Sequence, residues 1–123
     1  MANAHVKRWI EAWNKHDLQT VLSMYSEEIE FSSPKIKAVF PERTTSKIKN
    51  KKDLEAYWSK ALKKYPKLNF VLKESKFHNN VCLIEYYAVL DGRTRTSVIE
   101  KFEMQNGLVI KSSVFYGAEE QSH

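Results

Sequence analysis

The spacing of apolar residues changes once along this chain, and that change constrains the fold more than any other feature. Before Leu68 the apolar residues recur at helical spacing, and after it they alternate. Val6, Trp9, Ile10 and Trp13 stand at i, i+3, i+4 and i+7, which predicts a helix over about residues 4–15. Asp17 offers an N-cap to a second, shorter helix carrying Leu18, Val21, Leu22 and Tyr25. Asn50, with Asp53 three residues on, opens a third helix. Its stripe is Leu54, Tyr57, Trp58, Ala61, Leu62 and Tyr65, and Pro66 closes it. From Leu68 the period of two predicts strands at about 68–77, 81–90, 93–105 and 108–116. The separators are His78-Asn79-Asn80, Asp91-Gly92 and Asn106-Gly107, short enough for hairpins. Asp-Gly and Asn-Gly supply the positive φ that such turns need. An earlier strand, Ile29 to Ser33, stops at Pro34, and residues 35–50 read as a basic loop with a short strand near 44–48. No linker or internal repeat divides the chain. Residues 1–123 are therefore expected to form one α+β domain, its core about 3–117, with helices covering one face of an antiparallel sheet.

Several function classes fall away on elementary grounds. The longest uninterrupted apolar run is Tyr86 to Leu90, far short of the roughly 18 residues a membrane span requires. The N-terminus carries no basic-then-apolar leader, and Cys82 is the sole cysteine, so a disulfide framework is excluded and a cytoplasmic location is expected. His5, His16, His78 and His123 are scattered and form no H-x-x-x-H or H-x-H pair, so no metal site is expected. There is no G-x-S-x-G elbow and no glycine-rich phosphate loop, and no cofactor is expected. Cys82, inside the apolar run Val81-Cys82-Leu83-Ile84, reads as a buried structural thiol.

Charge is unevenly spread. Residues 34–67 carry eleven Lys or Arg against Glu42, Asp53 and Glu55, although the whole chain has a formal charge of only +5. Such a segment suits an anion or nucleic-acid surface, or simply a solvated helix face and loop; nucleic acid is the weaker reading. Lys35, Lys37, Arg43, Lys47 and Lys49 either overhang a cavity mouth and select anionic ligands or are plainly solvated.

The strand faces carry the functional information. Val98, Glu100, Phe102 and Met104 share one face of the third meander strand, three apolar residues around a single acid. Ile110, Ser112, Val114 and Tyr116 share a face of the last strand, and Ile29, Phe31 and Ser33 point together on the early one. With the helix stripes these sets enclose an apolar interior holding one carboxylate and a few hydroxyls, the chemistry of a small-ligand cavity. The opposite face shows Ile99, Lys101, Lys111, Ser113 and Phe115, a mixed surface suited to a two-fold dimer.

The order of elements, with "VKRWIEAWNKHDLQTVLSMYSEEIEFSSP" at 6–34, "NKKDLEAYWSKAL" at 50–62 and "VIEKFEMQNGLVIKSSVFYG" at 98–117, resembles the nuclear transport factor 2-like superfamily. Within it the chain is most similar to the SnoaL-like and ketosteroid-isomerase-like proteins. The resemblance implies a cone: a curved antiparallel sheet with three N-terminal helices on its concave face, and a homodimer through the convex face. It says little about activity, because the superfamily holds isomerases, cyclases, hydrolases and non-enzymatic adaptors. Ser33, before Pro34, stands where ketosteroid isomerases carry an acidic general base, and a serine hydroxyl cannot abstract a carbon-bound proton unaided. Trp9 stands at the position of their oxyanion-hole tyrosine, while Glu100 matches their second oxyanion-hole residue, an acid. Limonene-epoxide-hydrolase-like chemistry needs an acid on the last strand, and Ser112-Ser113-Val114 has none.

Glu100 is accordingly the candidate catalytic residue. In an apolar site its pKa should rise, and in protonated form it could donate a hydrogen bond to a ligand carbonyl or developing oxyanion. Its alternative role is a structural acid paired with Arg93, Arg95 or a loop lysine, or a residue of an interface. The expected ligand wall is Trp9, Trp13, Phe31, Tyr57, Trp58, Tyr86, Phe102, Val114 and Tyr116, with Ser33 and Ser112 as polar contacts. The expected ligand is a small apolar or aromatic organic molecule. The expected function is a cofactor-free isomerase, cyclase or hydratase, or else a non-catalytic ligand-binding or adaptor dimer.

Overall fold

Tertiary contacts settle the short elements that periodicity leaves open. The computed structural model describes residues 2–121, with side chains for residues 4–117. In chain order the elements are α1 (Ala2–Asn14), α2 (Leu18–Ser23), β1 (Tyr25–Ser32), α3 (Ile36–Val39), β2 (Lys47–Ile48), α4 (Lys51–Lys64), β3 (Asn69–His78), β4 (Val81–Val89), β5 (Thr94–Gln105) and β6 (Leu108–Gln121). The six strands form one curved, unclosed sheet in the order β2-β1-β6-β5-β4-β3. α1 packs on β3 and α4 on β1, so the helices cover the face that carries Val98, Glu100 and Phe102.

Helix ends are set by local chemistry. The Asp17 carboxylate accepts from the Thr20 amide at 3.2 Å, and the Asn50 side chain accepts from the Asp53 amide at 2.8 Å, both as N-caps. α1 ends where His16 adopts φ 56°, with the amides of His16 and Asp17 donating to the carbonyls of Trp13 and Ala12. That pair of bonds satisfies two carbonyls left open by the helix end. At the β5–β6 hairpin Asn106 and Gly107 take φ of 53° and 79°, the left-handed pair that a tight turn of this hand requires.

Five sequence expectations are corrected. The sheet is antiparallel except where β1 joins β6 in parallel, a pairing between segments about eighty residues apart that no local pattern announces. The helices number four, because Ile36–Val39 forms a single turn inside the expected basic loop. Tyr25 does not extend α2; it opens β1, where burial of its ring brings its hydroxyl to the Trp9 indole N–H, which donates at 2.9 Å. Ile110 is not on the buried row of β6. A bulge between the pairs Glu103↔Lys111 and Met104↔Val109 leaves it unpaired and puts fully buried Val109 in its place. β6 also runs past Tyr116 to Gln121, because its end pairs with the start of β5 at Thr94–Thr96. His123 lies outside the described residues.

Candidate functional site

Three neighbouring strands place Glu100, the one buried acid among the described residues. Glu100 on β5 stands opposite Ile84 of β4 and Val114 of β6, so Tyr86 and Ser112 are its diagonal neighbours on the same face. Both reach it: the Tyr86 hydroxyl donates to Glu100 Oε1 at 2.8 Å and the Ser112 hydroxyl to Oε2 at 3.0 Å. Glu100 is thus held by two neutral donors rather than by Arg93, Arg95 or a lysine. Burial pushes its carboxyl up to about 7, with the two hydroxyl donors opposing the shift. Burial also raises Tyr86 well above the ordinary phenol value, which keeps its proton on oxygen and available to the carboxylate. Cys82, fully buried nearby, is pushed up to about 12 by burial first and by Glu100 second, which makes it a structural thiol.

Glu100 lines a cavity of about 130 Å³. Trp9 and Trp13 of α1, Tyr57 and Trp58 of α4, Phe31 of β1 and Phe70 of β3 supply its aromatic walls, and Tyr86, Val114 and Thr96 lie beside the acid on the sheet. The rings meet edge to face, as between Trp13 and Trp58 with centroids 5.0 Å apart. Lys35, Val39, Lys64, Tyr65, Leu90 and Tyr116 are the more exposed lining residues and define the mouth.

Nine of the twelve residues singled out from the sequence line this cavity: Trp9, Trp13, Phe31, Tyr57, Trp58, Tyr86, Glu100, Val114 and Tyr116. Three do not. Phe102 is fully buried in the core, edge-on to Trp9, Tyr25 and His5. Ser112 sits behind Glu100 and acts only through it. Ser33 is buried beside the Tyr57 and Tyr116 hydroxyls, and its own hydroxyl accepts from the Lys35 amide at 3.3 Å.

Sequence reading missed Phe70, Thr96 and Lys64. Phe70 and Thr96 were accessible to it, since each falls on the inward phase of its strand. Of the five basic-loop residues that could overhang the mouth, Lys35 alone is among the described lining residues. The two indoles on α1 also differ in a way that only the structure shows. The Trp9 N–H is committed to Tyr25, whereas the Trp13 N–H is buried with no acceptor. Leaving such a donor unsatisfied costs about 1–3 kcal/mol, which a ligand oxygen would recover.

Among the described residues no three His, Cys, Asp or Glu side chains gather as metal ligands would. No described helix is long and apolar enough to cross a membrane.

A curved, unclosed sheet covered on one face by helices is the fold of the nuclear transport factor 2-like proteins. The sequence matches the model of the SnoaL-like domain over residues 6–111, and the chain belongs to that family. A SnoaL-like protein of unknown function from Burkholderia thailandensis is 28% identical and superposes with a TM-score of 0.86, over 95% of this chain and 94% of that one. A proposed polyketide cyclase from Streptomyces antibioticus, 12% identical, matches with a TM-score of 0.79 over 94% and 91% of the two chains. A proposed ketosteroid isomerase from Kribbella flavida, 15% identical, matches at 0.73 over 94% and 76%. The last two likenesses are of fold. No curated protein matches the chain in sequence.

Proposed function

We propose that this SnoaL-like domain binds a small, largely aromatic organic molecule in its cavity, with protonated Glu100 donating a hydrogen bond to a carbonyl or hydroxyl oxygen of the ligand. The observation that supports it most is the setting of Glu100: a buried acid with its carboxyl near 7, facing an aromatic cavity and held by two hydroxyls rather than by a cation. A carboxyl so poised can give up a proton to a developing oxyanion, so the chemistry it suits is cofactor-free isomerisation, cyclisation or hydration. A non-catalytic binder is the second reading, favoured by one feature: among the described lining residues Glu100 is the sole carboxylate and no histidine joins it, so proton abstraction finds no separate base there.

The site also has a second face behind it. Phe115, Ile99 and Leu83 are 59%, 44% and 43% exposed on the side of the sheet away from the cavity. Lys101, Glu103 and Lys111 share that side, and a surface of both signs and apolar centre can match a copy of itself. A homodimer through this face is part of the proposal.

A thermal-shift screen against aromatic ketones, polyketide-like aromatics, steroids and terpenoids tests the ligand reading. A ligand at about a hundred times its dissociation constant adds roughly 2.7 kcal/mol of stability, a shift of several degrees at this chain length. Glu100→Gln keeps a donor at the same place and should retain binding while losing any turnover; Glu100→Leu should lose both. A screen in which no compound shifts the wild-type protein, or a Glu100→Leu variant that binds as well as wild type, rejects the reading.

A further inference from the structure

The two ends of the cavity differ in charge as well as in depth. Its inner end holds Glu100, and its mouth holds the only cations among the described lining residues, Lys35 and Lys64. They arrive from different elements. Lys35 is fixed by the turn before α3, where the Ser33 hydroxyl accepts from its amide, and Lys64 ends α4. Each ammonium lies over an aromatic ring of the mouth, Lys35 Nζ 4.6 Å from the Tyr116 centroid and Lys64 Nζ 5.4 Å from that of Tyr65. Neither is in the ion pairs formed by Lys47, Lys51, Lys73, Lys76 and Lys111. Among the described residues no acid lines the mouth to balance them.

We infer that the ligand is an aromatic organic acid, bound with its rings among the tryptophans and its carboxylate at the mouth between Lys35 and Lys64. This rests on the ligand reading above and adds the class and orientation of the molecule. The orientation follows from charge. A carboxylate turned inward would meet Glu100, whose own ionisation it opposes, while one turned outward meets two cations in a partly apolar setting where ion pairs gain strength. Tyr116, beside Lys35 and shifted upward by burial, keeps its hydroxyl protonated and able to donate to the same anion. The buried, unpartnered indole N–H of Trp13 supplies a donor for an oxygen on the ring portion.

Tryptophan fluorescence titration of the intact chain with 2-naphthoate and with 2-naphthamide, its neutral isostere, tests this at low ionic strength. The naphthoate should bind about tenfold tighter than the amide, because a charge-assisted contact replaces a neutral one. Added salt should narrow that gap. In a Lys35→Gln/Lys64→Gln double variant the two probes should bind within about twofold of each other. Equal binding of both probes to the wild-type protein overturns the inference and leaves the aromatic cavity standing as a ligand site. A naphthoate preference that survives in the double variant overturns the assignment to these lysines. Failure of both probes to bind at all overturns this inference and leaves the ligand reading to the thermal-shift screen.

Discussion

The buried carboxyl of Glu100 ties folding stability to pH. Its carboxyl is raised from an ordinary value of 4.5 to about 7 by burial, so between those values the folded chain holds a proton that the unfolded chain has released. Folding stability is therefore greatest below the lower value and falls as pH rises toward the upper one, by roughly 3 kcal/mol for a shift of this size. Glu100→Gln removes that loss. Urea unfolding between about pH 4.5 and 7 should show the wild type weakening with pH and the variant nearly flat from this source. Parallel slopes for the two proteins would mean that the carboxyl titrates normally and the hydrogen-bond-donor role falls with it. The acid itself was legible, because strand alternation puts Glu100 between Val98 and Phe102 on an apolar row. Its partners were not, since diagonal neighbours depend on strand register.

At the scale of elements, the end of α1 is tied to the sheet edge by side chains rather than by a strand. The Asn14 amide donates to the Phe70 carbonyl at 3.0 Å and accepts from the Phe70 amide at 2.7 Å, and a ring nitrogen of His16 meets the Leu68 carbonyl at 2.8 Å. β3 is an edge strand, and these contacts cover its first residues while holding Phe70 against Trp9 and Trp13 in the cavity wall. Asn14→Ala removes both partners of the Phe70 main chain. It should cost about 1–2 kcal/mol in urea unfolding, at the modest end because the site is exposed to water. A loss under a few tenths of a kcal/mol would show the clamp to be incidental. No periodicity points to this use of Asn14, for the residue lies just past the apolar stripe and its partner is fifty-six residues away.

For the whole molecule the question is what covers the outer sheet face. Phe115 is more than half exposed and pairs across β5 with exposed Ile99. Phe115→Glu places a charge at that centre without touching the cavity row, on which Val114 and Tyr116 lie. Sedimentation velocity should show the wild type at twice the chain mass and the variant at the mass of one chain. A wild-type protein that sediments as a single chain at micromolar concentration would reject the dimer and leave the cavity reading untouched. The basic segment has a part at this scale too. Some of its charge is spent across the fold, as in the 3.8 Å pair of Lys47 with Glu30 and the 3.7 Å pair of Lys51 with Glu27, while Lys35 and Lys64 are left facing the cavity mouth.

The sequence by itself determined the long elements and most of their faces. Helical and two-fold periods are local, and so are the caps at Asp17 and Asn50 and the left-handed turn at Asn106-Gly107, so each can be read within a few residues. Nine of the cavity's residues follow from those periods alone. Tertiary structure decided the rest: the parallel β1–β6 pairing, the bulge that exchanges Ile110 for Val109, the strand position of Tyr25, and which of two neighbouring indoles keeps a free N–H. Each depends on a hydrogen bond or a packed ring between residues distant in the chain, and a local pattern carries no information about a partner it does not contain.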